Sequence, residues 1–278
     1  LAGDKIRVGF TLDEAWQSSG KDDDTTPRFY ASSPLDADTD IASFSVPFGD
    51  NTFQESVKEL EGGIVFYGVY PSSACSAAQK DAPNLSVTIP YDQKPSASSF
   101  DASADFMVGQ SKPVEAMTED PILMSWNRVV ALADITLKGL NVLEGEKLLY
   151  LTLTAQESAN LAGSQIVNVT DGTYTANKST NEIKLDLSSL EINSNNLEVW
   201  AVLLPETVSS LKVVLETGAA TYTKEISGLS LSFKKNKRNI LGIKMENAER
   251  IEKAPTEQVI EGGNYVIAAT YNNNDYMM

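Results

Sequence analysis

In four separate stretches of this chain every second residue is apolar: Ile6, Val8, Phe10 and Leu12; Leu149, Leu151 and Leu153; Ile183, Leu185 and Leu187; Leu229, Leu231 and Phe233. Successive side chains of a strand point to opposite faces of a sheet, so a period of two describes strands with one face buried. Helical spacing is confined to short turns around Ser56–Leu60 and Leu187–Leu190. Polar punctuation separates the strands, as at Glu61-Gly62-Gly63, Tyr70-Pro71-Ser72-Ser73, Asp171-Gly172 and Lys234-Lys235-Asn236-Lys237. Many short strands joined by polar turns predict an all-β chain of the sandwich type.

A length of 278 residues accommodates two such sandwiches. A break near residues 145–147 predicts one over 1–147 and another over 148–247. Leu132–Leu140 then closes the first, Asn141–Lys147 turns, and Leu148–Thr154 opens the second. Leu229–Phe233 and Ile240–Met245 read as a closing hairpin. Beyond it, residues 248–278 form an extension in which Val259, Ile260 and Tyr265–Tyr271 are again β-prone. That extension is either an appended strand or the start of a further module.

The composition excludes much chemistry. The chain has no histidine and a single cysteine, Cys75. Histidine is the usual proton shuttle near neutral pH and the commonest metal ligand, so Ser-His-Asp and Cys-His catalysis and most zinc sites are excluded. One cysteine forms no internal disulfide, and Cys75 is expected as a small buried hydrophobe. A net charge of -16 opposes nucleic acid, whose phosphates demand a basic face. No run approaches the ~20 apolar residues of a membrane helix, and the first residues show neither the charged nor the apolar region of a signal peptide. No cofactor and no enzymatic activity are expected.

Several patterns, taken in order, resemble the fimbrillins of Bacteroidetes, the subunits of type V pili. They are Ile64–Pro71 (IVFYGVYP), Ser103–Gly109 (SADFMVG), Pro121–Leu137 (PILMSWNRVVALADITL), Leu161-Ala162-Gly163, Leu197–Pro205 (LEVWAVLLP) and Ser232–Met245. Where the family often has Phe-x-His, this chain has Ser125-Trp126-Asn127-Arg128. The resemblance implies two tandem transthyretin-like β-sandwich domains and a lipoprotein at the cell surface, attached to the outer membrane by a lipid anchor not present in this chain. It also implies processing after an arginine behind the first strand. Here the matching residue is Arg28, and the removable strand carries Ile6, Val8, Phe10 and Leu12. Loss of that strand opens a groove for a strand of the next subunit, and Val259, Ile260, Tyr265 and Ile267 are the donor candidates. The expected partners are other pilus subunits, with a host protein or glycan as a further partner.

Competing readings attach to particular residues. Asp22-Asp23-Asp24, near Asp13 and Glu14, offers oxygen ligands for calcium but lacks EF-hand spacing, so a solvated acidic loop is favoured. Asp36, Asp38 and Asp40 read as surface charge. Paired carboxylates would serve a glycosidase, yet nothing in the sequence fixes which two face each other. Lys234, Lys235, Lys237 and Arg238 read as a solubilising turn. Among the tryptophans, Trp200 is expected in the core, Trp126 either in the core or at the family's histidine position, and Trp16 is the one considered for sugar stacking, with core or edge packing favoured for it. The alternative to a pilus subunit, anchor or tip adhesin is a carbohydrate- or host-binding surface lipoprotein that never polymerises.

Overall fold

The structure, a computed structural model, describes residues 2–12, 15–17, 27–36, 42–46, 63–78, 80–114, 120–140, 146–192, 196–253, 269–271 and 275–277. The first strands are β1 (Arg7–Leu12), β2 (Ala15–Trp16), β3 (Tyr30–Ala31), β4 (Ile64–Tyr70), β5 (Asn84–Ile89), β6 (Asp92–Gln93) and β7 (Met107–Ser111). There follow β8 (Met124–Arg128), β9 (Ala131–Lys138), β10 (Leu148–Ala155), β11 (Ala162–Asn168), β12 (Tyr174–Thr180) and β13 (Glu182–Asp186). The last are β14 (Leu197–Leu203), β15 (Thr207–Thr217), β16 (Ala220–Ser232), β17 (Arg238–Lys244), β18 (Glu249–Glu252), β19 (Ala269–Tyr271) and β20 (Asp275–Met277). Only two short 3-10 turns, at Ser72–Ala74 and Ala102–Ala104, interrupt the β structure of the described residues. The all-β expectation holds.

Four sheets enclose two main cores. A sheet in the order β18-β16-β15-β10-β13-β6 faces a sheet in the order β14-β9-β17. Between them lie Ile135, Leu137, Leu151, Leu153, Ile183, Leu185, Val199 and Val213, all essentially inaccessible to water. A second pair of sheets, β2-β1-β4-β7-β8 and β12-β11-β5, encloses Phe29, Val69, Leu85, Val87, Phe106, Val108 and Val167. Cys75 is buried in this second core, in the role that a free cysteine commonly fills.

Strands β9 and β14 belong to both cores. Ala131, Ala133, Ala201 and Leu203 point into the first, whereas the cross-strand pair Leu132 and Val202 points into the second. Burial on both faces explains why Val199–Leu204 and Val129–Ala133 are continuous apolar runs rather than alternating ones. It also means that hydrogen bonding crosses the break expected at 147. Strand β9 lies before that point yet pairs with β14 and β17, β5 pairs with β11, and β6 with β13. Alternation reveals that a segment is a strand; it carries no information about the partner.

The same limit corrects the closing hairpin. Strands β16 and β17 lie in different sheets, and β17 runs parallel to β9 in a continuous register from Arg238↔Leu132 to Lys244↔Lys138. The turn between them is an arch that crosses the core. Asn236 takes φ 56°, and the Asn239 side chain donates to the carbonyls of Lys234 and Lys237 while accepting from Lys234 N–H.

Candidate functional site

The first strand lies near one margin of its sheet. β1 pairs with β4 over six positions, from Arg7↔Val69 to Leu12↔Ile64. On its other side, among the described residues, it meets only the two-residue strands β2 and β3. Ile6, Val8 and Phe10 are buried to about the same degree as the cores, at 4–5% exposure. They face away from the sandwich interior, however. With Ile64 and Phe66 they form a third cluster on the outer face of the sheet. The alternating pattern alone would equally have let them line the N-terminal core, but Gly9, on the opposite face, sits against the Phe29 ring and leaves the core side to it. Leu12 pairs with Ile64, and its side chain lies outside the described residues.

Magnitudes show how finely β1 is held. Burying three such side chains contributes roughly 5 to 9 kcal/mol, while ordering six backbone residues costs about 6 to 12. The two nearly cancel, so polar anchors decide the outcome. Arg7 supplies one: its Nε donates to the carbonyl of Ser72 at 2.8 Å and Nη1 to that of Phe29 at 3.2 Å. Ser32 supplies another, its Oγ accepting from Ile6 N–H at 3.0 Å and its N–H donating to the Ile6 carbonyl at 2.9 Å. Tyr70 OH donates to Asp4 Oδ2 at 3.2 Å, and burial together with that carboxylate pushes the phenol well above its usual range.

The outer face continues across the sheet in one row. Val8, Gly68, Gly109 and Trp126 are successive cross-strand partners on β1, β4, β7 and β8. The indole lies flat over the two glycines, and a Cβ at Gly68 or Gly109 would come within 2.5 or 2.7 Å of it. A groove of about 830 Å³ runs along this face, bordered by Ile6, Val8, Phe66, Phe100, Met124 and Trp126. At its end Arg128 makes a two-pronged ion pair with the buried Asp105 carboxylate, which holds the guanidinium above its usual pKa. The sequence alone leaves Trp126 between core and surface. Its glycine bed becomes visible only once the register is known.

Arg28, the candidate processing residue, is half-buried and forms an isolated antiparallel bridge with Ala78. The following residue, Phe29, is fully buried, and its N–H donates to the Ala77 carbonyl at 2.8 Å. A protease that binds its substrate in an extended form does not reach that bond in the closed subunit. Of the donor candidates, Val259, Ile260, Tyr265 and Ile267 lie outside the described residues. So do Asp13, Glu14, Asp22, Asp23 and Asp24. The β19–β20 hairpin, whose first strand is the end of the β-prone run Tyr265–Tyr271, pairs only with itself among the described residues.

Of the other two tryptophans, Trp16 takes the core or edge packing favoured for it, whereas Trp200 departs from the core position expected of it. Trp16 is half-buried and packs on the N-terminal core, stacked on Phe29 at 5.6 Å and tilted against Tyr67 at 4.7 Å. Trp200 is only half-buried on the outer face of β14, with the Arg238 guanidinium 4.9 Å from its ring centre. Arg238 in turn pairs with Asp134, so this member of the basic cluster is held to the sheet. Sequence reasoning also missed Gln93. Its buried amide donates to the Val202 carbonyl at 2.7 Å and accepts from Val202 N–H at 2.9 Å, closing the edge of β14 as a neighbouring strand would. A lone glutamine gives no such signal in sequence. Among the described residues no group of three potential ligands gathers to hold a metal, and no helix is long and apolar enough to cross a membrane.

Comparison with known proteins agrees with this architecture. The profile of the fimbrillin-like family matches residues 3–262. No curated protein matches the chain. Among solved structures, a candidate cell adhesion protein of Bacteroides ovatus superposes with a TM-score of 0.55 at 15% identity, covering 94% of this chain and 89% of that one. A second, from Bacteroides uniformis, gives 0.51 at 15% identity with 91% of both chains covered. At such identities the likeness shows the fold.

Proposed function

From the premise that this chain belongs to the fimbrillin-like family, a family of adhesion and structural proteins rather than enzymes, we propose that it is a pilus subunit assembled by strand replacement. The family places it at the cell surface among other subunits. In this reading it reaches that surface as a lipoprotein of the outer membrane and serves as shaft, anchor or tip. One observation carries the reading: β1 is a peripheral strand whose apolar side chains occupy a cluster of their own, outside both sandwich cores. Its departure would leave β4 with an unpaired edge, uncover Ile64 and Phe66, and bare the side of the Phe29 ring against which Gly9 sits. A strand donated by a neighbour, with apolar residues at alternate positions, would satisfy both the backbone groups and the pockets. The donor segment is the extension carrying Val259, Ile260, Tyr265 and Ile267.

The burial of Phe29 adds an order of events. Processing at Arg28 acts on an opened form, in which β1 and the segment behind it have already loosened. Electron microscopy of the protein before and after treatment with an arginine-specific protease tests the reading. Filaments that form only after cleavage, and that are lost when residues 254–278 are deleted, are the expected result. Protein that has lost β1 and stays monomeric contradicts it.

A second reading, a non-polymerising surface protein that binds a glycan or host protein, draws support from Trp200 on the outer face of β14. Loss of glycan binding in Trp200→Ala, with no polymer under any cleavage condition, would favour it.

A further inference from the structure

The sheet that carries β1 has a second margin. β8 pairs with β7 alone, and among the described residues nothing pairs with its far side. The Val129 N–H donates to the Phe106 carbonyl at 3.0 Å, in the same register that sets Arg128 opposite Met107. In an antiparallel ladder hydrogen-bonding alternates along each strand. The N–H and C=O groups of Met124, Trp126 and Arg128 therefore point outward. Both faces of this edge are hollow. On one side is the 830 Å³ groove beside Met124 and Trp126, and on the other a groove of about 640 Å³ beside Ser125, Asn127 and Val108. Between them stand Ile122 and Leu123, and Leu123 is 85% exposed, the most exposed large apolar side chain among the described residues.

Several other margins among the described residues carry protection. Gln93 clamps β14, and Glu249, Arg250 and Glu252 occupy β18. Lys178 and a run of exposed polar residues cover β12. These are the devices that keep sheet edges from recruiting strands. From Leu123 to Asn127 the β8 edge has no lysine, acid or proline.

We propose that the β8 edge is a docking site for an extended segment of a different polypeptide, apolar at alternate positions and neutral or basic between them. Main-chain groups would pair with Met124, Trp126 and Arg128, and alternate side chains would enter the two grooves. Charge selects the class of partner. Asp4, Asp105 and Asp120 border one groove and Asp171 the other, with Lys112 and Arg128 as the nearby cations. A second copy would bring another net charge of -16 to this acidic surface. The site exists in the uncut subunit and does not depend on the loss of β1, so it stands or falls apart from strand replacement.

The test uses the full, uncut chain and a library of nine-residue peptides alternating Val, Ile, Leu or Phe with Lys or Thr. Bound members should slow amide exchange at Met124, Trp126 and Arg128 at least tenfold. N-methylation of the peptide's edge-facing amides should weaken binding at least tenfold, and Leu123→Lys, at an exposed position, at least fivefold. No binding member, equal binding of the N-methylated peptide, or binding that leaves those three amides unchanged overturns the proposal. Dimers that protect the same amides without any peptide also overturn it, and assign the edge to a second copy.

Discussion

The sheet margin at β1 and the sandwich around β10 bury side chains of the same kind in the same alternating pattern, yet they are held in different ways. β10 lies inside its sheet, paired with β13 on one side and β15 on the other, and Leu151 and Leu153 sit in a core closed by a second sheet. β1 lies at a margin, and Ile6, Val8 and Phe10 are covered on an outer face by a few side chains. The first arrangement shares its fate with the whole molecule. Under the proposed strand replacement the second comes away on its own, as low-stability cooperative units do. Burial percentage alone does not distinguish the two; strand order and the ownership of the cluster do.

The largest expected effect separates them directly. Leu153→Ala should cost about 2 to 5 kcal/mol and Phe10→Ala about 3 to 5. Leu153→Ala should lower the main unfolding transition. Phe10→Ala should instead free β1, read as faster proteolysis near the N-terminus, with the main transition nearly unmoved. A matching fall of the main transition in both variants would break the comparison.

Alkaline pH gives a somewhat smaller contrast. Burial pushes the Cys75 thiol up from 9.0 to about 11, with Arg7 acting weakly the other way. Between those values the unfolded chain has lost a proton that the folded chain keeps. Stability therefore falls as pH rises from about 9 and levels off above 11, by up to about 3 kcal/mol. In Cys75→Ala the drop in melting temperature between pH 8 and 11 should shrink. A remainder should persist from Tyr91 and Tyr174, both raised to about 12, the first chiefly by its hydrogen bond to Glu182 and the second by burial.

Two glycines sharpen the comparison at the level of one methyl group. Gly68→Ala places a Cβ 2.5 Å from the Trp126 indole, whereas Gly242 on β17 has nothing within 4 Å. The first should cost about 1 to 3 kcal/mol and shift tryptophan fluorescence. Gly242→Ala should change stability by less than about 0.5 kcal/mol, as surface substitutions commonly do.

Local alternation made much of the fold legible. Strands at 7–12, 148–155 and 183–186 follow from period two, and the continuous runs at 129–133 and 199–204 announce strands buried on both faces. Partnership was not legible. A strand's pattern is the same whether it turns back beside its neighbour or arches to another sheet, which is why β16 and β17 read as a hairpin. The site was legible in its position, through the alternating first strand, and not in its orientation. Whether Ile6, Val8 and Phe10 face a core or an outer groove depends on which sheet lies over them. Trp126 needed Gly68 and Gly109, 58 and 17 residues away in sequence, to reveal its bed. Gln93 needed Val202.

Native-state hydrogen exchange across increasing denaturant tests the central claim, that β1 is separately releasable. The amides of β1 should open at a free energy several kcal/mol below those of β10, and with a much weaker dependence on denaturant. If β1 and β10 exchange with the same free energy and the same denaturant slope, the first strand is an inseparable part of the fold and strand replacement at β4 is contradicted.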